Sequence, residues 1–443
     1  MWIPQNQTFF IFVFQKEKVR YPVRMSLLYN LSIYLYALLI RIVSVFNPQA
    51  RAFIQGRKGQ FDRMRKAIGK HDEVVWFHCA SLGEFEQGRP VIEAFRDTFP
   101  HYKILLTFFS PSGYELRKNY PLADYVFYLP MDKKRNVHRF LSIFKPRLAI
   151  FIKYEFWFNY LDGLYKNKIP VFLVSGIFRK NQHFFRFYGR WFRKQLRKIT
   201  WFFVQNQTSS NLLNRIHIYH HEINGDTRFD RVMKIKQTAS GLPLVNTFKN
   251  NQKLFIAGST WPPDEDILLK FIKSENQNIK LIIAPHKTDE DHIKTLVNQF
   301  NTFNPILYSQ AMGVDLKQVR VMIIDQIGLL SAMYQYADVA YVGGGFGVGI
   351  HNLPEAAVFG IPVIFGPNYA RFREAHDLLA LGGGFSIQSA KEFISVCNQL
   401  LNTPDLYKNA CKAAGTYVYE NAGATDRVLH KMKEYIVVKK AGF

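Results

Sequence analysis

Short apolar runs bounded by polar or glycine-rich stretches recur along most of the chain. In the first half they occupy residues 74–78, 103–107, 125–129, 148–152, 171–175 and 202–205. The first run is followed by a helical pattern over 84–99. Short bounded apolar runs alternating with helices predict a parallel sheet covered on both faces. The rhythm breaks over 226–252, a polar stretch containing Ser240, Gly241 and Pro243, which reads as a linker. It restarts at 254–257, 280–284, 321–324, 339–342 and 362–365. The pattern therefore predicts an α/β chain with two Rossmann-like domains, residues 50–232 and 233–443, facing across a cleft. Ligands of such sheets bind beyond the carboxyl ends of the strands.

Ahead of these domains the pattern changes. Residues 27–46 read LLYNLSIYLYALLIRIVSVF, about the length a bilayer-spanning helix needs. Asn30 and Arg41 interrupt it, and an arginine at the bilayer centre costs about 2.5–3.5 kcal/mol. Arg41 lies near the end of the run, where it can snorkel to the surface. Basic residues flank both sides: Lys16, Lys18, Arg20 and Arg24 before, Arg51, Arg57 and Lys58 after. Residues 1–49 are expected to form an uncleaved anchor, spanning or lying in the interface, with an amphipathic helix packed on the first domain as the alternative and Met25 a candidate start.

Composition sharpens this. The chain has 443 residues, 48% of them hydrophobic, which excludes a disordered body. The formal charge is +24, which implies a polyanionic partner: an anionic membrane, a phosphorylated lipid or a nucleic acid. Aromatic and basic residues interleave from Phe184 to Arg193, as suits a lipid headgroup layer or a helix with an aromatic core face. The three cysteines, Cys79, Cys397 and Cys411, have neither zinc nor disulfide spacing.

Five segments at strand ends are candidates for chemistry. Gly343 to Glu355 is a glycine-rich loop leading into a helix start. Its glycines let a ligand approach, the helix start favours phosphate, Asn352 is a good N-cap, and Glu355 can accept from ribose hydroxyls. No Gly-Lys-Ser/Thr follows, so it is not a Walker loop. The segment His78 to Glu84 places Glu84 either as a general base or as the partner of Ser81 in a capping box. Glu155, in Tyr154–Trp157, is either a catalytic or acceptor-orienting carboxylate or a loop acid beside a packing tryptophan. Gly258, Ser259 and Thr260 suit phosphate or a plain turn. Pro285, His286 and Lys287 form a candidate wall of a nucleotide site. No carboxylate pair or His/Cys cluster calls for a metal, and no nucleic-acid-reading motif is present.

Together these segments resemble the bacterial Kdo transferases, which add 3-deoxy-D-manno-octulosonic acid to lipid A precursor. Ser81-Leu82-Gly83-Glu84 is similar to the family's S-V-G-E turn, and Arg89-Pro90 follows as in the family. Thr107 with Ser110-Pro111-Ser112-Gly113-Tyr114, Glu155-Phe156-Trp157, Gly225-Asp226-Thr227-Arg228-Phe229-Asp230, Ala257-Gly258-Ser259-Thr260 and His351-Asn352 with Glu355 complete the set. The resemblance implies a GT-B fold, CMP-Kdo as donor, a lipid A precursor as acceptor and inversion at the anomeric carbon. It implies Glu84 as catalytic base, with CMP contacts from Pro285, His286, Ile327, Gly328, Leu329, Asn352, Leu353, Pro354 and Glu355. It also implies the cytoplasmic face of the inner membrane, and no cofactor. Departures fall on single positions: Lys153 and Phe158 replace the outer Glu and Pro of Glu-Thr-Glu-Leu-Trp-Pro, and Pro-Arg-His becomes Pro285-His286-Lys287. Met-Gly-Glu becomes Ile327-Gly328-Leu329, while the proline of H-N-P-L-E-P moves to Pro354. The competing readings are a GT-B enzyme using a UDP-sugar and a non-catalytic polyanion-binding protein.

Overall fold

A computed structural model describes residues 25–274 and 279–437. It divides into two compact units, residues 1–227 with 424–443, and residues 228–423.

The first unit holds β1 (Val74–Cys79), β2 (Lys103–Phe108), β3 (Tyr125–Tyr128), β4 (Leu148–Ile152), β5 (Val171–Gly176), β6 (Trp201–Val204) and β7 (His221–Ile223). They form one sheet in the order β3-β2-β1-β4-β5-β6-β7, every pairing parallel. All six residues of β1 are buried, which is why its sequence shows a solid apolar run rather than alternation. Val75, Phe77 and Cys79 face one core, shared with Val428, Met432 and Ile436 of the helix Ala424–Val437. Val74 and Trp76 face the other, shared with Tyr29, Ile33, Tyr36 and Ile40.

The second unit holds β8 (Lys253–Thr260), β9 (Ile279–Pro285), β10 (Ile306–Leu307), β11 (Val321–Ile323), β12 (Val339–Val342), β13 (Val363–Phe365) and β14 (Gly384–Ser386). Their order is β10-β11-β9-β8-β12-β13-β14, again all parallel. In each sheet the direction of winding reverses at the first strand. The reversal lies between β1 and β4 in one unit and between β8 and β12 in the other. Strand-end loops diverge at such a point and leave a crevice for a ligand.

Three expectations change. The presumed linker 226–252 contains the helices Arg228–Thr238 and Pro243–Lys249. Phe229, Val232, Val245 and Phe248 anchor them in the core, and the lysines and asparagines that made the stretch look like a loop cover their outer faces. The helix Ala424–Val437, expected with the second domain, packs in the first unit, because its apolar stripe covers β1 and β5 there. β6 is also not the last strand of its sheet, since β7 pairs beyond it.

The N-terminal apolar run forms the helix Met25–Val43, long and apolar enough to cross a bilayer. Lys16, Lys18, Arg20 and Arg24 lie outside the described residues. One face, with Tyr29, Ile33, Tyr36 and Ile40, is buried, while Leu27, Leu31, Tyr34, Leu38 and Ile42 are exposed. The Tyr29 hydroxyl donates to Asp132, which also accepts the backbone N–H groups of Asn159 and Tyr160 at 3.0 Å. Asn30, the polar interruption noted in the sequence, accepts from Asn159 Nδ2 at 3.0 Å.

Candidate active site

In the first unit the candidate residues gather on both sides of the reversal. Ser81 caps the helix Leu82–Thr98, its Oγ accepting from Glu84 N at 3.5 Å. Glu84 returns the favour one residue early: its Oε2 accepts from Ala80 N at 2.6 Å. Capping and catalysis therefore do not compete, because the cap engages one carboxylate oxygen and Oε1 makes no hydrogen bond among the described residues. Burial pushes the Glu84 carboxyl well above the usual range, and the charge of Glu155 pushes the same way.

Glu155 arrives from the end of β4. Its Oε2 accepts from Trp157 Nε1 at 2.6 Å and lies 3.3 Å from His78 Nε2. Burial raises its pKa, opposed by the Trp157 N–H. His78, at the end of β1, is fully buried and held neutral down to about pH 4, chiefly by that burial. Its Nδ1 lies 3.1 Å from the Thr107 carbonyl and 2.9 Å from Thr107 Oγ1, and Trp76 Nε1 donates to the same hydroxyl at 2.7 Å.

In the second unit the ends of β8, β9 and β12 meet. The Trp261 ring stacks on His286 at 4.7 Å, and His286 on His351 at 4.6 Å. Trp261 Nε1 donates to His351 Nε2 at 3.2 Å. His351 is held neutral down to about pH 4, first by burial and then by the charge of His286. Glu355 accepts from Asn352 Nδ2 at 2.7 Å and from Ser331 Oγ at 3.0 Å, which draws the segment after Leu329 to the same edge. Ile327 is 90% exposed, so its side chain is open to a ligand.

The glycine loop differs from the open phosphate cradle expected of it. Gly343 N donates to Gly258 O at 2.9 Å, Gly344 N to Asp264 Oδ2 at 2.8 Å, and Gly349 N to Gly344 O at 2.9 Å. A Cβ on Gly343 would come within 2.5 Å of the Ser259 carbonyl, and one on Gly345 within 2.6 Å of Gly366. These two glycines let neighbouring strand ends touch. Gly258 instead leaves room for the Tyr334 hydroxyl, which a Cβ there would strike. Thr260 donates to Glu265 Oε1 at 3.0 Å, and Ser259 takes a left-handed backbone with φ 54. Asn352 stands at the N-cap position without a side-chain cap bond, and the helix it opens, Leu353–Ala357, has five residues.

Residues 54–231 match the sequence model of the family described as 3-deoxy-D-manno-octulosonic-acid transferase (kdotransferase). The 3-deoxy-D-manno-octulosonic acid transferase of Haemophilus influenzae is 25% identical over 90% of this chain and 94% of its own length. That of Aquifex aeolicus is 27% identical over 74% of this chain and 86% of its own length. The chain is thus similar to the Kdo transferases over most of its length, and to their family model over residues 54–231. Its fold is of the GT-B type. The UDP-GlcNAc 2-epimerase of Neisseria meningitidis, solved bound to UDP-GlcNAc, superposes with a TM-score of 0.58 at 17% identity, covering 82% of this chain and 100% of its own.

Sequence reasoning gave no role to four residues of the site. Asp264 and Ser331 carry no motif; Asp264 looks like an ordinary acid in a helix's first turn. Trp261 has no motif and His78 is only the first residue of the Glu84 segment, yet their ring nitrogens find His351 and the Glu155–Trp157 pair. The one available signal was position, since Trp261 and His78 lie at the ends of the two strands that flank the reversals.

Proposed function

We propose that this chain transfers Kdo from CMP-Kdo to a lipid A precursor, with inversion, in lipopolysaccharide synthesis at the cytoplasmic face of the inner membrane. The observation that carries the mechanism is Glu84, a buried carboxylate pinned by Ala80 N through Oε2 with Oε1 left to act. The acceptor hydroxyl gives its proton to Glu84 Oε1 as its oxygen attacks the anomeric carbon. The bond from that carbon to the CMP phosphate oxygen breaks, and its electron pair leaves with CMP. Glu155 orients the acceptor. Pro285, His286, the segment Ile327 to Leu329 and the segment Asn352 to Glu355 hold CMP, with the Trp261–His286–His351 stack as a rigid wall. Rigidity of this kind lowers the ordering cost of binding.

The helix Met25–Val43 supports an in-plane membrane attachment. Its inner face is committed to the first unit through Tyr29 and Asn30, bonds that a helix crossing the bilayer would lose. Its outer face offers Leu27, Leu31, Leu38 and Ile42, while Phe187, 95% exposed, projects from the aromatic-basic segment whose Trp191 ring lies 5.9 Å from Tyr29. Arg41, Arg51, Arg186 and Arg190 are exposed and meet anionic headgroups.

A transfer assay with CMP-Kdo and a tetra-acylated lipid A precursor, read by mass spectrometry, tests the reading. Glu84→Gln keeps an oxygen for Ala80 N and loses the base, so transfer drops by about 10²–10⁴-fold while the protein stays folded. Full activity in that variant refutes the base. The GT-B neighbours that use UDP-sugars favour one rival, and thermal stabilisation by UDP but not by CMP would select it.

A further inference from the structure

We infer that His78 decides which carboxyl of the Glu84–Glu155 pair carries a proton at rest, placing it on Glu155 Oε2 and leaving Glu84 as the anion. This deepens the transferase reading and rests on it for its catalytic meaning, though not for its test.

The inference follows from donors and acceptors around one buried ring. His78 Nδ1 lies 3.1 Å from the Thr107 carbonyl. A carbonyl only accepts, so Nδ1 carries a hydrogen. Trp157 Nε1–H points at His78 Nε2 at 3.0 Å. An indole N–H only donates, so Nε2 is bare. The ring is therefore the neutral Nδ1–H tautomer, in keeping with its complete burial. Thr107 Oγ1 fits this assignment: it accepts from Trp76 Nε1 at 2.7 Å and can donate to the Phe77 carbonyl at 3.4 Å.

Glu155 Oε2 faces that bare nitrogen at 3.3 Å. An ionised oxygen there would set two lone pairs against each other inside a buried site, with a single indole hydrogen shared between them. A proton on Oε2 resolves the conflict. Trp157 N–H donates to Oε2 at 2.6 Å, Oε2–H donates to Nε2, and Nδ1–H donates to Thr107. Each carboxyl accepts one N–H that favours its anion, Glu155 from Trp157 and Glu84 from Ala80 N at 2.6 Å, and only Glu155 also faces a bare acceptor nitrogen.

The other groups facing the pair fit the same distribution. Burial is the main force against ionisation of Glu84 and Glu155 adds to it, while Ala80 N–H, Lys153 at the end of β4 and His78 oppose them. Burial, helped by Arg57, keeps His78 neutral against the pull of Glu84. Cys79 and Tyr29 are held neutral first by burial, then by the charge of Glu84 at Cys79 and of Asp132 at Tyr29. A neutral Glu155 removes the repulsion that otherwise hinders ionisation of Glu84. His78 touches neither donor nor acceptor in this account; it is a positioning residue.

Infrared difference spectra of the full-length protein at neutral pH test this. Wild type minus Glu155→Gln is expected to show the carbonyl stretch of a protonated carboxyl. Wild type minus Glu84→Gln is expected to show carboxylate bands only. The reverse assignment, or carboxylate bands in both, overturns the inference. In His78→Phe, where the acceptor is gone, the Glu155 carboxyl band disappears at a pH lower by about one unit, a tenfold weaker hold on the proton. An unmoved band overturns the role of His78; should that variant not fold, the two glutamine variants still decide where the proton lies. None of these spectra requires transfer. An inactive protein with Glu155 protonated refutes the transferase reading alone, and an active one with Glu84 protonated refutes this inference alone.

Discussion

Asp264 is 1% exposed and accepts from Gly344 N at 2.8 Å, Trp261 N at 2.9 Å and Tyr341 Oη at 2.6 Å. It ties the end of β8 to the end of β12. Asp264→Ala would leave those donors unpaired, and chemical denaturation should show a loss of about 3 kcal/mol, with weaker CMP binding. A second prediction concerns protons. His351 stays neutral down to about pH 4 when folded, whereas an unfolded histidine titrates near about 6.5. As pH falls through that window only the unfolded chain gains this proton, so stability falls with acid. His351→Asn removes that term, so its denaturation midpoint should drop less steeply than wild type between about pH 6.5 and 4. Asp264 and Glu265, whose pKa values burial raises, titrate in both proteins and drop out of the comparison. At this scale the sequence was partly legible. Glu84, Glu155 and the glycine loop stand out by type and position. The use of the loop's N–H groups does not, because it depends on Asp264 from another strand end.

The strands were legible because burial on both faces leaves a dense apolar run. Those that escaped were β10 and β14, of two and three residues, too short to form a pattern, and β7, whose residues are only half-buried or exposed. The helices within 226–252 escaped for a different reason. Each buries few side chains, so polar outer faces dominate the local composition. The helix Met25–Val43 could be read from its length but not for its orientation, which is set by two hydrogen-bonded residues on one face. The membrane role proposed for it gives the prediction at this scale. Leu31→Glu with Leu38→Glu alters only the exposed face, so thermal stability should hold. Co-sedimentation with anionic phospholipid vesicles should fall by about tenfold or more, since each burial lost is worth about 1.5–3 kcal/mol before the added charge. Unchanged vesicle binding would place the membrane contact elsewhere.

The chain passes from the first unit to the second at Thr227 and returns at Ala424. The second unit is thus a single continuous stretch with its own seven-stranded sheet and two cores. Expressed alone, residues 228–423 should fold cooperatively and be stabilised by CMP, as a thermal-shift measurement would show. A chain stopped before Ala424 should instead leave its first unit open, because Val428, Leu429, Met432 and Ile436 complete the core beneath β1. The two-unit division was legible from the paired strand rhythms, whereas the return was not, since an amphipathic helix states that it has a partner but not which one. The return also sets an order of events on the ribosome. Domains ordinarily mature in the order of their synthesis. Here the unit begun first waits for a helix translated only after all of the second, so the second unit is ready while the first, which bears Glu84, is still unfinished. During that interval the sheet around β1 lacks one cover, and chaperones have a window in which to act that closes when the last helix docks.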